Sequence, residues 1–391
     1  MRLISVEERR ARLGVRHRLA GTTRADDVTE IARDLVALHS TDPASVYLAA
    51  AARMSAPDLA AIDEALYETR TLLRMLGMRR TVFVVPAELA PAVHAASTLA
   101  IAAKERLRTE QFLTEEGLEG DVAGWLRETD AAALLALKAR GEATGAQLSA
   151  DEPRLKTQIT LARGKKYGGA QNIVSRVLLV LAAEGRIVRG RPVGSWISSQ
   201  YRWSPVEAWL PGGMAELPAD QARVELARRW LAAYGPGTAA DLKWWTGWTA
   251  GEVKRALAEI KPTEVDLDGV TGLVLPEDSE PVPAPEPWAA LLPALDPTAM
   301  GWAGRAWYLG DHAPALFDRT GNIGPAVWWD GRIVGGWAQR SDGEIVVRLL
   351  EDVGSDAEAA VRAETERLTV WLGHARVTPR FRTPLERELS G

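Results

Sequence analysis

One structural unit recurs three times along this chain: helices interrupted by a turn, followed by two short strand-forming segments. Helical periodicity, capping residues and runs of β-branched residues mark each copy. The predicted helices lie at about 26–38, 45–54 and 57–68; at 122–140, just after 144, and at 170–184; and at 218–234, from 238, and at 250–260. The predicted strand pairs lie at 71–76 and 81–85; between 185 and 203; and at 263–267 and 272–275.

This order of elements is that of the winged helix, in which a helix enters the DNA major groove and a hairpin contacts the backbone or minor groove. The segment 276–287 holds five prolines and four acids in twelve residues, which predicts an extended linker. Short strands at 326–329, 332–337 and 344–350 then predict a small antiparallel sheet or barrel, followed by a helix at 357–372. The predicted fold is α+β and mostly α, divided into units 1–110, 111–215, 216–275 and 276–391.

The 391 residues contain no cysteine, which excludes disulfides, thiolate nucleophiles and cysteine-ligated metal sites. The five histidines are scattered without metal-ligand spacing, so we expect neither a metal nor a cofactor. The N-terminus is charged, and the longest weakly polar run, 89–103, is too short and too polar to span a bilayer. We therefore expect a cytoplasmic protein associated with the nucleoid and no membrane partner.

Positive charge is concentrated in one part of an acidic chain. The net charge is −5, but ten Lys or Arg against three acids give the segment 151–203 a charge of +7, so the remainder carries −12. Basic stripes of this kind are typical of a surface that binds a polyanion, although a solvated surface is the plain alternative. The candidate DNA-binding residues are Arg79, Arg80, Arg163, Lys165, Lys166, Arg186, Arg189 and Arg191.

The segment 34–43 presents polar side chains abruptly at the end of an apolar helix face. His39 lies at the edge of that face, and Asp42-Pro43 predicts an N-cap followed by proline at the first helical position. In an extended turn, His39 and Thr41 point the same way. Two interpretations stay open. Both side chains satisfy ordinary core and capping needs, or they share a water molecule in a cleft, where histidine acts as a general base.

Four segments carry a resemblance to a known family: 35–50 (LVALHSTDPASVYLAA), the basic second hairpin, 291–297 (LLPALDP) and 331–337 (GRIVGGW). In these segments and in its order of parts, the chain resembles the winged-helix DNA glycosylases of the AlkZ and YcaQ type. The resemblance implies three tandem winged helices and a C-terminal β-barrel, arranged as a C-shaped clamp with a basic concave face. It also implies removal of bulky or crosslinking alkyl adducts from duplex DNA, in several members as self-resistance to a genotoxic antibiotic.

The chain departs from this family at one motif. Members usually have glutamine, one intervening residue, then glutamine or aspartate ahead of Asp-Pro, whereas this chain has His39 and Thr41 there. It is similar in this to a histidine-threonine branch that acts on intercalated guanine adducts. Because no lysine or α-amine nucleophile is evident at the site, we expect a monofunctional glycosylase for N7-alkylguanine that acts as a monomer. Our hypothesis is that neutral His39 accepts a proton from water, that Thr41 holds that water, and that Asp42 either caps the helix or adds negative charge near the sugar.

Two further functions fit the sequence. A transcriptional regulator or adduct sensor would use the winged helices without catalysis and bind particular undamaged sequences. An antibiotic-binding protein would sequester the drug on aromatic surfaces without DNA, and the fifteen tryptophans suit stacking as well as core packing.

Overall fold

The computed structural model describes residues 1–164 and 168–391. Within these ranges the helices are α1 (Val6–Arg16), α2 (Val28–Asp34), α3 (Pro43–Ala51), α4 (Leu59–Asp63), α5 (Ala90–Val93), α6 (Leu99–Glu115), α7 (Val122–Arg140), α8 (Gly145–Asp151), α9 (Val174–Ala183), α10 (Ala219–Tyr234), α11 (Ala239–Thr246), α12 (Ala250–Ile260), α13 (Ala306–Leu309), α14 (Ala313–Leu316), α15 (Ser355–Leu372) and α16 (Pro384–Ser390). π-Helical turns at Glu64–Glu68 and His94–Thr98 extend α4 and join α5 to α6. The mostly helical α+β prediction is confirmed.

Within the same described ranges, the strands form five small sheets. They are β1 (Arg2–Leu3), β2 (Leu38–His39), β3 (Leu72–Leu76), β4 (Val82–Pro86), β5 (Gln158–Leu161), β6 (Gly169–Asn172), β7 (Ile187–Pro192), β8 (Tyr201–Pro205), β9 (Thr263–Asp266), β10 (Thr271–Val274), β11 (Ala289–Leu292), β12 (Ala326–Trp329), β13 (Arg332–Gln339) and β14 (Ile345–Leu349). The strand orders are β2-β4-β3, β5-β6, β7-β8, β1-β9-β10 and β11-β12-β13-β14.

The three repeated units share one pairing. In each, the residue or short strand that follows the first helix pairs with the last strand of the hairpin. In the first unit β2 pairs antiparallel with β4, in the second Ala143 bridges Trp203 of β8, and in the third Gly237 bridges Leu273 of β10. The helices then follow in the same order, so the three copies predicted from the sequence have a common topology. The sheet of the third unit has one additional strand, which comes from the start of the chain: β1 pairs in parallel with β9.

Two predicted helices begin or end elsewhere. The helix expected at 26–38 ends at Asp34, because Val36 has a left-handed φ of 65° and the chain then extends to pair with β4. The helix expected at 170–184 begins only at Val174. The residues before it form β6, which pairs with β5 in a hairpin inserted between the second and third helices of the second unit. Helical periodicity could not have predicted either departure, because strand pairing depends on contacts between residues far apart in the sequence.

Helix α3 is buried on every side: all nine of its residues are buried. Val46 and Tyr47 belong to the large core that includes the first and third units, whereas Ala44 and Leu48 pack in the core beneath the C-terminal sheet. A helix that is apolar all round is typical of the interior of a large protein. The N-terminal end of α3 is therefore held by two cores at once.

The C-terminal sheet is open rather than closed. Among the described residues, β11 and β14 are its edges, so the barrel that was one of the two expected forms is not present. Four strands are too few to close around a packed interior, and α15 packs beside β11 while α16 packs beside β13. The predicted linker 276–287 contains a single 3₁₀ turn at Pro276–Asp278. No helix in the described ranges is long and apolar enough to cross a membrane.

Candidate active site

The segment 34–43 turns sharply between two helices. After α2, the left-handed Val36 reverses the chain, and strand pairing holds Leu38 and His39 extended against β4. Asp42 then begins α3 as its N-cap, with Pro43 at the first helical position, as predicted. Val36 is a buried β-branched residue, for which φ > 0 is unusual, so packing must over-determine the conformation of this turn.

His39 is a buried, neutral histidine. Its side chain is only 7% exposed, and Phe83, its partner in the β2–β4 pairing, packs edge-on against the imidazole with ring centroids 5.4 Å apart. Burial, reinforced by the nearby Arg79 cation, lowers the pKa of His39 to about 3. The ring is therefore uncharged at neutral pH in the free protein.

Hydrogen bonding sets the tautomer of His39. The backbone N–H of Thr41 donates to Nδ1 at 3.4 Å, so Nδ1 is the unprotonated nitrogen and the proton lies on Nε2. At 3.4 Å this hydrogen bond is longer than the roughly 2.7 to 3.2 Å of typical N–H hydrogen bonds, so it is a weak one.

Asp42 has a capping role. One carboxylate oxygen accepts from the backbone N–H of Ala44 at 3.1 Å, and the other accepts from the backbone N–H of Arg380 at 2.9 Å. Burial raises the pKa of Asp42, although both N–H donors favour its ionised form. Of the two roles expected for Asp42, these contacts favour capping, because both oxygens are already hydrogen-bonded.

The segment 291–297 fixes both ends of α3. Near the N-terminal end, Ser45 Oγ donates to the carbonyl of Ala294 at 2.7 Å. Just past the other end, the guanidinium of Arg53 forms a bidentate ion pair with Asp296, at 2.7 and 2.9 Å, with both side chains almost fully buried. This sequence motif therefore holds in place the helix that follows the turn carrying His39.

Thr41 opens into a cleft of about 520 Å³ between the first unit, the second unit and the C-terminal segment. The thirteen described residues that line it are Ser40, Thr41, Pro43, Val82, Gly145, Val174, Ser175, Leu178, Arg189, Ser199, Tyr201, Trp203 and Arg380. They include two arginines and five hydroxyl groups but no acid and no lysine. Such a lining suits an anionic ligand, and it offers no amine nucleophile.

A buried cationic network connects the cleft wall to the turn. The Arg189 guanidinium stacks on Trp203, 4.8 Å from the ring centroid. Arg74 lies beneath Tyr201, also 4.8 Å from the ring, and donates through Nε to Ser40 Oγ at 2.7 Å. Burial lowers the pKa of Arg189 to about 10, and the neighbouring Arg74 adds to this while Tyr201 opposes it.

The predicted DNA-binding residues fall into three groups. Three form ion pairs of 2.6 to 2.7 Å: Arg80 with Glu105, Arg163 with Glu116, and Arg191 with Asp63 and Glu68. Arg79, Arg186 and Arg189 form no ion pair with a described acid. Lys165 and Lys166 lie outside the described residues. Because partly exposed ion pairs contribute little, about 0 to 1 kcal/mol, DNA phosphates can displace them.

Arg79 and Arg305 flank one tryptophan. Their guanidinium carbons lie 3.9 Å and 4.7 Å from ring centroids of Trp244. Burial and the neighbouring Arg305 lower the pKa of Arg79 to about 10. Trp244 is half-buried here, whereas its neighbours Trp245 and Trp248 are core residues.

Sequence reasoning missed Arg74, Tyr201 and Arg380 as parts of the site. Arg74 and Tyr201 belong to strands of different units, and Arg380 lies in an irregular segment far along the chain. Only the tertiary fold brings them beside Thr41. In the described residues, no group of three or more histidines or acids could hold a metal ion.

Residues 32–371 match the family model described as "DNA glycosylase AlkZ-like". A curated relative, an interstrand DNA cross-link repair glycosylase of Streptomyces sahachiroi, is 28% identical over 215 residues, which span 52% of this chain and 57% of that protein. The solved structure of the Streptomyces sahachiroi DNA glycosylase AlkZ aligns with a TM-score of 0.72 at 20% identity, over 97% of this chain and 99% of that one. The structural match shows a shared fold, and the family model covers most of the sequence. The chain belongs to the AlkZ-like DNA glycosylase family.

Proposed function

We propose that this protein is a monofunctional DNA glycosylase that hydrolyses the N-glycosidic bond of bulky N7-alkylguanine adducts, intercalated ones included, in duplex DNA. The observation that carries the proposal is a buried, neutral His39 whose Nδ1 accepts from the backbone N–H of Thr41. Thr41 lines a cleft that has no acid among its described lining residues, whereas His39 itself lies behind Thr41 and is not one of those lining residues. The lining of described residues contains no lysine, which favours water as the nucleophile. We further propose that the enzyme acts as a monomer.

The substrate supplies much of the reactivity. Alkylation at N7 gives the guanine a positive charge, so the base leaves with the bonding electrons of its N9–C1′ bond as a neutral molecule. The sugar becomes oxocarbenium-like, and a water oxygen bonds to C1′. The enzyme therefore has to hold that water and take its proton, which are tasks of orientation and general-base catalysis.

His39 and Thr41 suit these tasks. The Thr41 hydroxyl holds the water in the cleft, and the water donates to His39 Nδ1 in place of the long bond from the Thr41 N–H. A pKa of about 3 makes His39 a weak base, but the attacking water becomes strongly acidic as its bond to C1′ forms. Phosphates bound beside Arg79 would offset the repulsion from that cation, which is the smaller cause of the lowered pKa of His39, whereas burial, the larger cause, would remain.

The three repeated units are proposed as winged helices with the boundaries 1–110, 111–215 and 216–275, followed by a fourth domain at 276–391. Their common order of elements and the repeated pairing after the first helix support this division. Arg79, Arg186 and Arg189 are the preferred phosphate contacts, since none is paired with a described acid. The displaceable pairs of Arg80, Arg163 and Arg191 are proposed as additional contacts, together with Lys165 and Lys166.

The test is excision from a duplex with one defined bulky N7-guanine adduct, followed by alkali cleavage at the abasic site. His39→Ala should lower the single-turnover rate by roughly 100- to 10,000-fold, the range for general-base groups, while DNA affinity changes little. His312→Ala is the matched control, because His312 pairs with Glu351 outside this cleft. Thermal unfolding of both variants checks that they fold.

The outcomes separate the candidate functions. Cleavage that persists unchanged in His39→Ala would remove His39 from the mechanism. If the wild-type protein binds DNA tightly without cleaving, the protein is a regulator or adduct sensor. If it binds the free genotoxin but not DNA, it sequesters the drug.

A further inference from the structure

We infer that Arg189 and Tyr201 form a phosphate subsite, which holds the DNA backbone beside the nucleotide that faces His39 and Thr41. The inference deepens the proposed function and rests on it. It assigns Arg189 a specific role as a positioning residue, beyond general attraction to DNA, and it adds Tyr201, which no sequence pattern indicated. The ligand is one phosphodiester group of the bound strand.

Two polar atoms at this place are buried and have no partner. Arg189 Nη1 and Tyr201 Oη make no hydrogen bond with a described residue, and both side chains line the cleft. A buried donor left unpaired costs about 1 to 3 kcal/mol, and more when the group is charged. Such groups are retained where a ligand completes them, because the cost is then recovered on binding.

The local charge specifies an anion. Arg74 lies on the other side of Tyr201 and lowers the pKa of Arg189 further, so two cations share a buried region. No ion pair links either of them to a described acid. Burial is the main cause that raises the pKa of Tyr201, and the acid that adds to it is Asp42. The N–H groups of Ala44 and Arg380 already occupy the two oxygens of Asp42.

The geometry favours a phosphodiester over a diffuse cloud of counterions. Stacking on Trp203 fixes the plane of the Arg189 guanidinium, and a guanidinium held in one plane can bind a phosphate through the paired N–H groups of its edge. The hydroxyl of Tyr201 supplies a second donor to the same anion. Two fixed donors select one phosphate position, whereas exposed arginines attract the whole backbone.

The subsite is mechanically connected to the proposed catalytic turn. Arg74 packs against Tyr201 and donates to the hydroxyl of Ser40, which lies between His39 and Thr41 in sequence. A phosphate bound by Arg189 and Tyr201 therefore has a fixed position relative to Thr41. Because a displacement of about 1 Å at the reacting atoms can lower a rate a hundredfold, loss of this contact should affect excision as well as binding.

The experiment replaces one phosphodiester at a time with an uncharged methylphosphonate, across the seven linkages nearest the adduct. At one position, wild-type protein should lose roughly ten- to a hundredfold in affinity and excision rate. Arg189→Gln should already show that loss on unmodified DNA, and a methylphosphonate at the sensitive position should cause no further loss. Tyr201→Phe should lose part of it, and Arg189→Lys, which keeps the charge but not the planar fork, should recover part.

Arg202→Gln is the matched control, since it makes the same change of charge on β8, the strand that pairs with β7, on a side chain already paired with Glu142 and not proposed as a DNA contact. The inference fails if Arg189→Gln responds to every methylphosphonate as wild type does, or loses no more affinity than Arg202→Gln. A loss confined to adducted DNA also overturns it, because a phosphate contact acts on undamaged duplex too. Affinity is measured by fluorescence anisotropy, so the subsite is tested even if no excision occurs, which separates its failure from that of the proposed function.

Discussion

Replacing Asp296 by alanine should lower the free energy of unfolding by about 3 to 5 kcal/mol, because it leaves the buried Arg53 guanidinium without its counter-charge. The ion pair is 0% and 1% exposed, so solvent cannot screen the charge that remains. Arg53 would keep its hydrogen bonds to the carbonyls of His17 and Ala49 and to Thr298 Oγ1. Those contacts satisfy donors without neutralising the cation.

The partner substitutions separate the charge from the space it fills. Arg53→Met leaves Asp296 as the unpaired charge and should cost about the same, 3 to 5 kcal/mol. The double variant Arg53→Met/Asp296→Leu removes both charges and fills the space with apolar atoms, so it should cost less than either single change. The coupling energy between the two positions should therefore exceed about 3 kcal/mol.

The assay is equilibrium unfolding in urea, followed by tryptophan fluorescence and by far-UV circular dichroism. A chain of 391 residues often unfolds in more than one step, so free energies are compared only where the two probes give coincident transitions. A cost below about 1 kcal/mol for either single variant, or a double variant whose cost equals the sum of the two, would refute the reasoning.

Two further predictions concern histidines. Burial lowers the pKa of both His17 and His39 to about 3, against 6.5 in the unfolded chain. Below pH 6.5 only the unfolded state takes up these protons, so stability present at pH 7 is lost as the pH falls towards 3. At pH 5 the loss is about 2 kcal/mol for each histidine, and equal urea midpoints at pH 7.5 and 5 would contradict it. His39→Gln restores the residue usual in the resembling family, and its carbonyl can hold water but cannot remove a proton. We expect an excision rate roughly tenfold below wild type and well above His39→Ala, and equal rates for the two variants would show that holding water is not the role of this position.

Local patterns predicted much of the helical framework. Helix α7 has the predicted bounds, and Thr144 and Thr238 form the capping boxes that begin α8 and α11. The β5–β6 hairpin was missed, because Gln158–Leu161 and Gly169–Asn172 carry no strong strand pattern and are strands only by pairing with each other. Strand pairing is decided by tertiary contacts, which periodicity does not contain.

The sequence predicted some residues of the candidate site and missed others. His39 and Thr41 stood out because polar groups interrupt an apolar face, and the N-cap at Asp42 follows a local rule. Arg74 and Tyr201 look like ordinary strand residues, and their place beside Ser40 depends on how two units pack. Counting charges along the sequence could not distinguish Arg189 from the arginines that form ion pairs, because the sequence does not show which cations have an acidic partner in the fold.

The hydrogen bond between Asp42 and Arg380 joins residues 338 positions apart, so it can form only when nearly the whole chain has been synthesised. At about 5 to 20 residues per second, a ribosome needs roughly 20 to 70 s to add those residues. During that interval the first unit can fold, but one oxygen of its Asp42 cap waits for a donor that has not yet been made. The turn that carries His39 therefore reaches its final form late, after the segments that hold the proposed DNA-binding arginines have been synthesised.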